Sequence, residues 1–168
     1  MAKKITIFLF FLFSLPSLLT SGENARVTTV LLVRHAEKSA SPADNPSLTE
    51  QGRVRAEKLI RILGQAGLRT IYTSQYARTH ETAEPIAKHL SLPIQQIDAN
   101  NTQKLVDDIL SKHVGEVVLV VGHSNTLPQI IRALGGENIP EIRDNDYDNL
   151  FVVTVFQPGK AKVLRLKM

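Results

Sequence analysis

The sequence has no cysteine at all. Disulfides therefore add nothing to its stability, although an oxidising compartment would do the chain no harm. There is no internal repeat, no low-complexity tract and no run of basic residues interleaved with aromatics. Nucleic acid is accordingly not an expected partner. Only one apolar run is long, Ile5 to Leu15, and it falls short of the roughly 20 residues that span a bilayer. Lys3 and Lys4 precede it, and Pro16 followed by small or polar residues leads out to Gly22. That order reads as a secretory signal peptide over residues 1–22. Export to a periplasm or to the exterior follows as the expectation, with membrane contact only in transit; an uncleaved anchor is the alternative. No cysteine follows the run, so lipid attachment at its exit is excluded. The formal net charge is +4. Loss of Lys3 and Lys4 with the leader takes it to +2, so much of the basic balance belongs to that segment.

Residues 23–168 are long enough for one domain with an ordinary hydrophobic core. Two short apolar runs stand out, Leu31-Leu32-Val33 and Val117 to Val121. Runs of Val and Leu bounded by polar residues suggest strands buried on both faces. Strand signals at 28–33, 69–73, 93–97 and 117–121 alternate with helical patterns. The helices are expected from Thr49 to about Leu63, from Ser74 to about Leu90, from Leu105 to His113 and from Thr126 to Leu134. Pro85 is expected to kink or split the second of these. Two closing strands, 151–156 and 162–166, flank Pro158-Gly159. The alternation predicts a three-layer α/β sandwich. Its central sheet is mainly parallel with helices on both faces and an antiparallel C-terminal edge. The stretch from Glu37 to Ser47, rich in Pro, Asp and Asn, reads as a long loop suited to shaping a pocket.

Each apolar run ends on a histidine: Arg34-His35 after the first, Gly122-His123-Ser124 after the second. Ligands in open α/β sheets sit beyond the carboxyl ends of the strands, so the two histidines are expected at one sheet edge. Two of the strand exits open helices, whose free N–H groups suit an anion. Arg34 and Arg78 add bidentate charge matched to phosphate oxygens. A neutral imidazole in such a field is a competent nucleophile toward phosphorus. A metal between His35 and His123 would have guanidinium groups for neighbours, so no metal and no cofactor is expected. His89 and His113 fall on helix faces and read as solvated; His80 is given no role.

Four segments resemble the histidine phosphatase (phosphoglycerate mutase-like) superfamily, in that family's order. Val33-Arg34-His35-Ala36-Glu37 is similar to its Arg-His-Gly signature, with Ala36 where glycine is usual. Leu48-Thr49-Glu50-Gln51-Gly52 is similar to its Leu-Thr-x-x-Gly element. Ser74 to Thr82 resembles its Ser-x-x-x-Arg-Thr-x-x-Thr segment, and Val121-Gly122-His123-Ser124 its second-histidine motif. The resemblance implies a small phosphatase without a cap domain, since only short connections separate residues 91–116, and mutase activity is not expected. It makes His35 the phosphorylated nucleophile, with Arg34, Arg78 and His123 as phosphoryl ligands. A small phosphorylated molecule is the implied partner. The family's proton donor is a carboxylate; Asp98 lies roughly where it would fall, with Asp148 and Glu37 as further candidates. A binding module that keeps the pocket without an effective acid is the competing class.

Overall fold

The computed structural model describes residues 26–168; the expected signal peptide lies outside them. Ten elements follow one another: β1 (Thr28–Arg34), α1 (Glu50–Leu63), β2 (Leu68–Thr73), α2 (Ala77–Leu90), β3 (Ile94–Gln96), α3 (Thr102–Lys112), β4 (Val117–Gly122), α4 (Thr126–Ala133), β5 (Asn149–Gln157) and β6 (Lys160–Lys167). The six strands form one sheet in the order β3-β2-β4-β1-β5-β6. The four strands β1 to β4 are parallel, whereas β5 runs antiparallel to β1 and β6 to β5. The expected α/β sandwich with an antiparallel C-terminal edge is therefore the fold.

Its layers follow from where the apolar residues point. Leu31 and Val33 of β1 share a core with Leu59 and Leu63 of α1 and Ile86 of α2. Val30 and Leu32, one residue out of phase, pack on the opposite face with Ile109 of α3 and Ile130 of α4. A strand that must be apolar on both faces cannot show alternation, which is why β1 and β4 are continuous Val/Leu runs. From β1 the chain moves outward to β2 and β3 through α1 and α2, then returns to β4 through α3. Right-handed crossovers place helices on opposite faces when the direction of travel reverses.

Several boundaries differ from the sequence expectation, each for a local reason. Helix α2 begins at Ala77 rather than Ser74, because the Ser74 hydroxyl is engaged with Thr79 and His123. Its N-cap Tyr76 offers no side-chain cap; Asn45, from the long loop, accepts from the Ala77 N–H at 2.9 Å instead. Pro85 neither splits nor ends the helix, which runs unbroken to Leu90. Buried residues on both sides of the proline, Thr82 and Ala83 before it and Ile86 and Ala87 after it, hold the two halves to the core as one element. Helix α3 starts three residues early, at Thr102, because Asn101 caps it by accepting from the Lys104 N–H at 3.2 Å. His113 is not solvated. Its ring tucks under the sheet, with Nε2 2.9 Å from the Tyr72 hydroxyl and Nδ1 2.8 Å from Glu116.

Candidate active site

Register brings the site together. Arg34 pairs with Gly122 across β1 and β4, and Thr73 pairs with Val121 across β2 and β4. The residues that follow, His35, His123 and Ser74, must then emerge side by side at the carboxyl edge. The His35 and His123 rings lie 5.4 Å apart, edge to face, and both side chains are buried. An open cleft of about 310 Å³ lies over them, lined by Arg34, Arg78, Lys38, Tyr76, Asn100, Ser124 and Asp144 among others.

His35 is held from two sides. Its backbone N–H donates to the Gly122 carbonyl at 2.9 Å, and its Nδ1 lies 2.8 Å from the Ala36 carbonyl. A carbonyl can only accept, so Nδ1 carries the proton and Nε2 keeps its lone pair. Burial is the main reason the ring's pKa falls from 6.5 to about 3. The Ala36 bond opposes this, and the positive fields of His123, Arg34 and Arg78 add to it. Ala36 itself is fully buried and gives its N–H to Thr82 Oγ1 at 2.9 Å, while Thr82 donates to the Arg78 carbonyl at 2.7 Å. The loop after His35 is thus tied to the first turns of α2. Its backbone lies outside the left-handed region, so alanine serves there in place of glycine.

The two arginines are fixed differently. Arg34 donates from Nη1 to the carbonyls of Arg143 and Asp144, at 2.8 and 2.9 Å, and its guanidinium stacks on Tyr147 at 4.3 Å. Asp144, fully exposed at the cleft mouth, stands 3.8 Å from Arg34 Nη2. Arg78 stacks on Tyr76 at 4.2 Å. The Nε atoms of both arginines are buried without an acceptor among the described residues. His123 places Nε2 2.9 Å from Ser74 Oγ, and its pKa falls to about 4, from burial first and then from Arg78 and Arg34. Four residues expected from the sequence, Arg34, His35, Arg78 and His123, therefore meet in one cleft.

The carboxylates fare otherwise. Asp98 is exposed and lines a smaller recess behind His123 rather than the cleft. It accepts from the Asn100 N–H at 2.8 Å and from Gln75 at 3.3 Å, closing a turn ahead of α3. Glu37 is bound by Arg55 through three short contacts; burial would raise its pKa, but Arg55 outweighs burial and holds it below the usual range. Asp148 pairs with Lys167, away from the cleft lining. Tyr76, Tyr147 and the Arg143-Asp144 backbone were not legible as site parts. An acidic loop with one tyrosine carries no signal until β5 folds it back over β1. Among the described residues no His, Asp and Glu side chains gather in a group that could hold a metal ion, and no helix is long and apolar enough to cross a membrane.

Residues 30–101 match the family model of the histidine phosphatase superfamily, branch 1. The matched stretch carries the first-histidine and second-arginine motifs, and the fold brings His123 to them from beyond it. Over that stretch the chain is similar to the histidine phosphatase superfamily. Solved structures similar to it include the protein histidine phosphatase SixA complexed with tungstate, at 19% identity and a TM-score of 0.67, covering 83% of this chain and 96% of that one. The mycobacterial glucosyl-3-phosphoglycerate phosphatase matches at 12% identity and 0.64, covering 84% and 98%. Bacillus stearothermophilus YhfR matches at 21% and 0.63, covering 75% and 90%. At such identities the shared property is the fold. No curated protein matches in sequence. The match over residues 30–101 supports a phosphatase in the general sense.

Proposed function

We propose that this protein hydrolyses phosphate monoesters through a phosphohistidine formed on His35, without a metal ion. The observation that carries this reading is the bond between His35 Nδ1 and the Ala36 carbonyl. It leaves Nε2 as a lone-pair nitrogen beneath an arginine-lined cleft, and burial keeps the ring uncharged well below neutral pH. In the first step Nε2 attacks phosphorus and the ester P–O bond breaks. In the second, water attacks phosphorus, the N–P bond breaks, and inorganic phosphate leaves. Arg34, Arg78 and His123 neutralise the charge on the non-bridging oxygens. With two guanidinium groups in that role, a cation in the same cleft would meet repulsion rather than ligands.

Incubation with p-nitrophenyl phosphate tests the nucleophile, because that leaving group departs with little protonation. Wild type should acquire an acid-labile, base-stable phosphoryl label, and His35→Ala should lose both label and turnover. Substantial turnover by His35→Ala would sink the covalent reading. A binding module of the same architecture would take up phosphate but no label. The position of Asp98 outside the cleft lining is what keeps that second reading alive. We further propose export, on the charged and then apolar start of the chain. The mass of the mature protein should place its N-terminus near Glu23, or at Ala25; full-length protein in the cytosol would count against export.

A further inference from the structure

His35 and His123 are held by partners of different kinds. The Ala36 carbonyl only accepts, which fixes the proton of His35 on Nδ1. The partner of His123 is a hydroxyl, Ser74 Oγ at 2.9 Å from Nε2, and a hydroxyl can either donate or accept. Which it does decides what the other ring nitrogen, Nδ1, presents. Nδ1 has no hydrogen-bond partner among the described residues.

Ser74 is buried and belongs to a short chain of polar groups. Its Oγ lies 2.9 Å from Thr79 Oγ1, and the Tyr76 N–H points to it at 3.4 Å. Thr79 is fully buried. Its hydroxyl can donate to Ser74 Oγ at 2.9 Å, to the Ser74 carbonyl at 3.2 Å, or to the Tyr76 carbonyl at 2.8 Å. Two orders of protons satisfy the set. In one, Thr79 donates to the Tyr76 carbonyl, Ser74 donates to Thr79, and His123 donates from Nε2. Nδ1 would then face the cleft as a lone pair. In the other, Thr79 donates to Ser74 and Ser74 donates to Nε2, so His123 carries its proton on Nδ1. The Tyr76 carbonyl still accepts from the Thr79 and His80 N–H groups, at 3.1 and 3.3 Å, so nothing is left unpaired in the second order.

An anionic oxygen beside a nitrogen lone pair is repelled, whereas beside an N–H it is bound. We propose that Ser74 is a positioning residue: backed by Thr79, it donates to His123 Nε2 and so keeps the proton on Nδ1, where a neutral imidazole offers it to a phosphoryl oxygen. This rests on the phosphohydrolase reading above. It assigns the buried serine at the β2 exit a task distinct from anion binding by a helix N-terminus. The chain ends on backbone carbonyls, which cannot take up a proton, so it sets a tautomer and does not conduct.

The experiment is imidazole 15N NMR of the full protein saturated with inorganic phosphate, above the pH at which the ring protonates. Long-range couplings distinguish a proton on Nδ1 from one on Nε2. Wild type should show His123 as the Nδ1–H tautomer. Ser74→Ala should show a mixture of tautomers and lose roughly 3- to 10-fold in kcat/KM for p-nitrophenyl phosphate, the usual range for one hydrogen bond between neutral groups. Ser74→Thr, which keeps the hydroxyl, should restore both readouts, and thermal melts of all three would show that each folds. A dominant Nε2–H tautomer, or a doubly protonated ring, in the wild-type phosphate complex would overturn the assignment. So would an unchanged tautomer in Ser74→Ala. Absence of a phosphoryl label on wild-type His35 would instead count against the phosphohydrolase reading, whatever the tautomer.

Discussion

Two histidines of identical chemistry are held by partners of different kinds, a carbonyl for His35 and a hydroxyl for His123, and the same scale decides what can act as the acid. A carboxylate serves as general acid only if it reaches the leaving oxygen and holds a proton at working pH. Asp144 reaches the cleft mouth, where it stands 3.8 Å from Arg34 Nη2 as an ion-pair partner. Asp98 is hydrogen-bonded into the turn ahead of α3 and would have to leave it to reach the cleft. General acid help is worth roughly 10²–10⁴-fold for poor leaving groups. If Asp98 supplies it, Asp98→Asn should slow hydrolysis of a sugar phosphate by that factor while sparing p-nitrophenyl phosphate. A small, equal loss on both substrates would make Asp98 a turn former only. Steady-state kinetics on the two substrates separates these outcomes.

Helix α1 shows how an element outside the cleft lining holds the loop that leaves His35. Thr49 caps it by accepting from the Gly52 N–H at 3.1 Å, and the Thr49 N–H donates to the Glu37 carbonyl at 2.8 Å. Gly52 faces that same carbonyl so closely that a Cβ would fall well inside van der Waals contact with its oxygen. The Leu-Thr-x-x-Gly element is therefore a docking device: a cap followed by a bare helix surface against the loop that leaves His35. Glycine costs an α-helix interior about 1 kcal/mol relative to alanine, so Gly52→Ala would stabilise an isolated helix. The clash reverses the sign, since overpacking costs about 1–3 kcal/mol. Gly52→Ala should lower the urea midpoint and reduce turnover together. A raised midpoint would show that the loop yields freely. Gly135, at φ +92°, makes a similar approach to the turn at Gly159 and seats the C-terminal hairpin against the end of α4.

Across the whole molecule, burying two uncharged histidines has a consequence for stability. The unfolded chain takes up protons at both as pH falls through 6.5, whereas the folded protein resists until about 4 at His123 and about 3 at His35. Because the unfolded state binds more protons in that interval, stability falls as pH falls, by at most about 1.4 kcal/mol per pH unit for each histidine. Between pH 6.5 and 4.5 this loss precedes the protonation of ordinary carboxylates. Denaturant titrations should show it, and His35→Ala should remove about half of the slope. Saturating inorganic phosphate should raise stability at every pH in this range, because it binds only the folded state. A stability flat from pH 6.5 to 4.5 would show that neither histidine is held uncharged.

The layered α/β architecture was legible because it depends on periodicity alone: β1 and β4 must be apolar on both faces, and helices between them must carry one apolar stripe. That Arg34, His35 and His123 would share one edge was legible for a related reason. Arg34-His35 and Gly122-His123 end the strands of a parallel sheet, and parallel strands that share a register share an edge. What escaped were contacts between segments distant in sequence: Asn45 capping α2, Tyr147 and two carbonyls gripping Arg34, His113 under Tyr72, and Ser74 against His123. Each couples a loop or strand end to a partner 32 to 113 positions away, and no local propensity encodes such a pairing. Composition and spacing alone determined which chemistry stands at the edge of the sheet. Only the tertiary structure decided which nitrogen of His35 carries the proton, which carboxylates are already paired, and how firmly each arginine is held, because those depend on the single partner each polar atom finds once water is excluded.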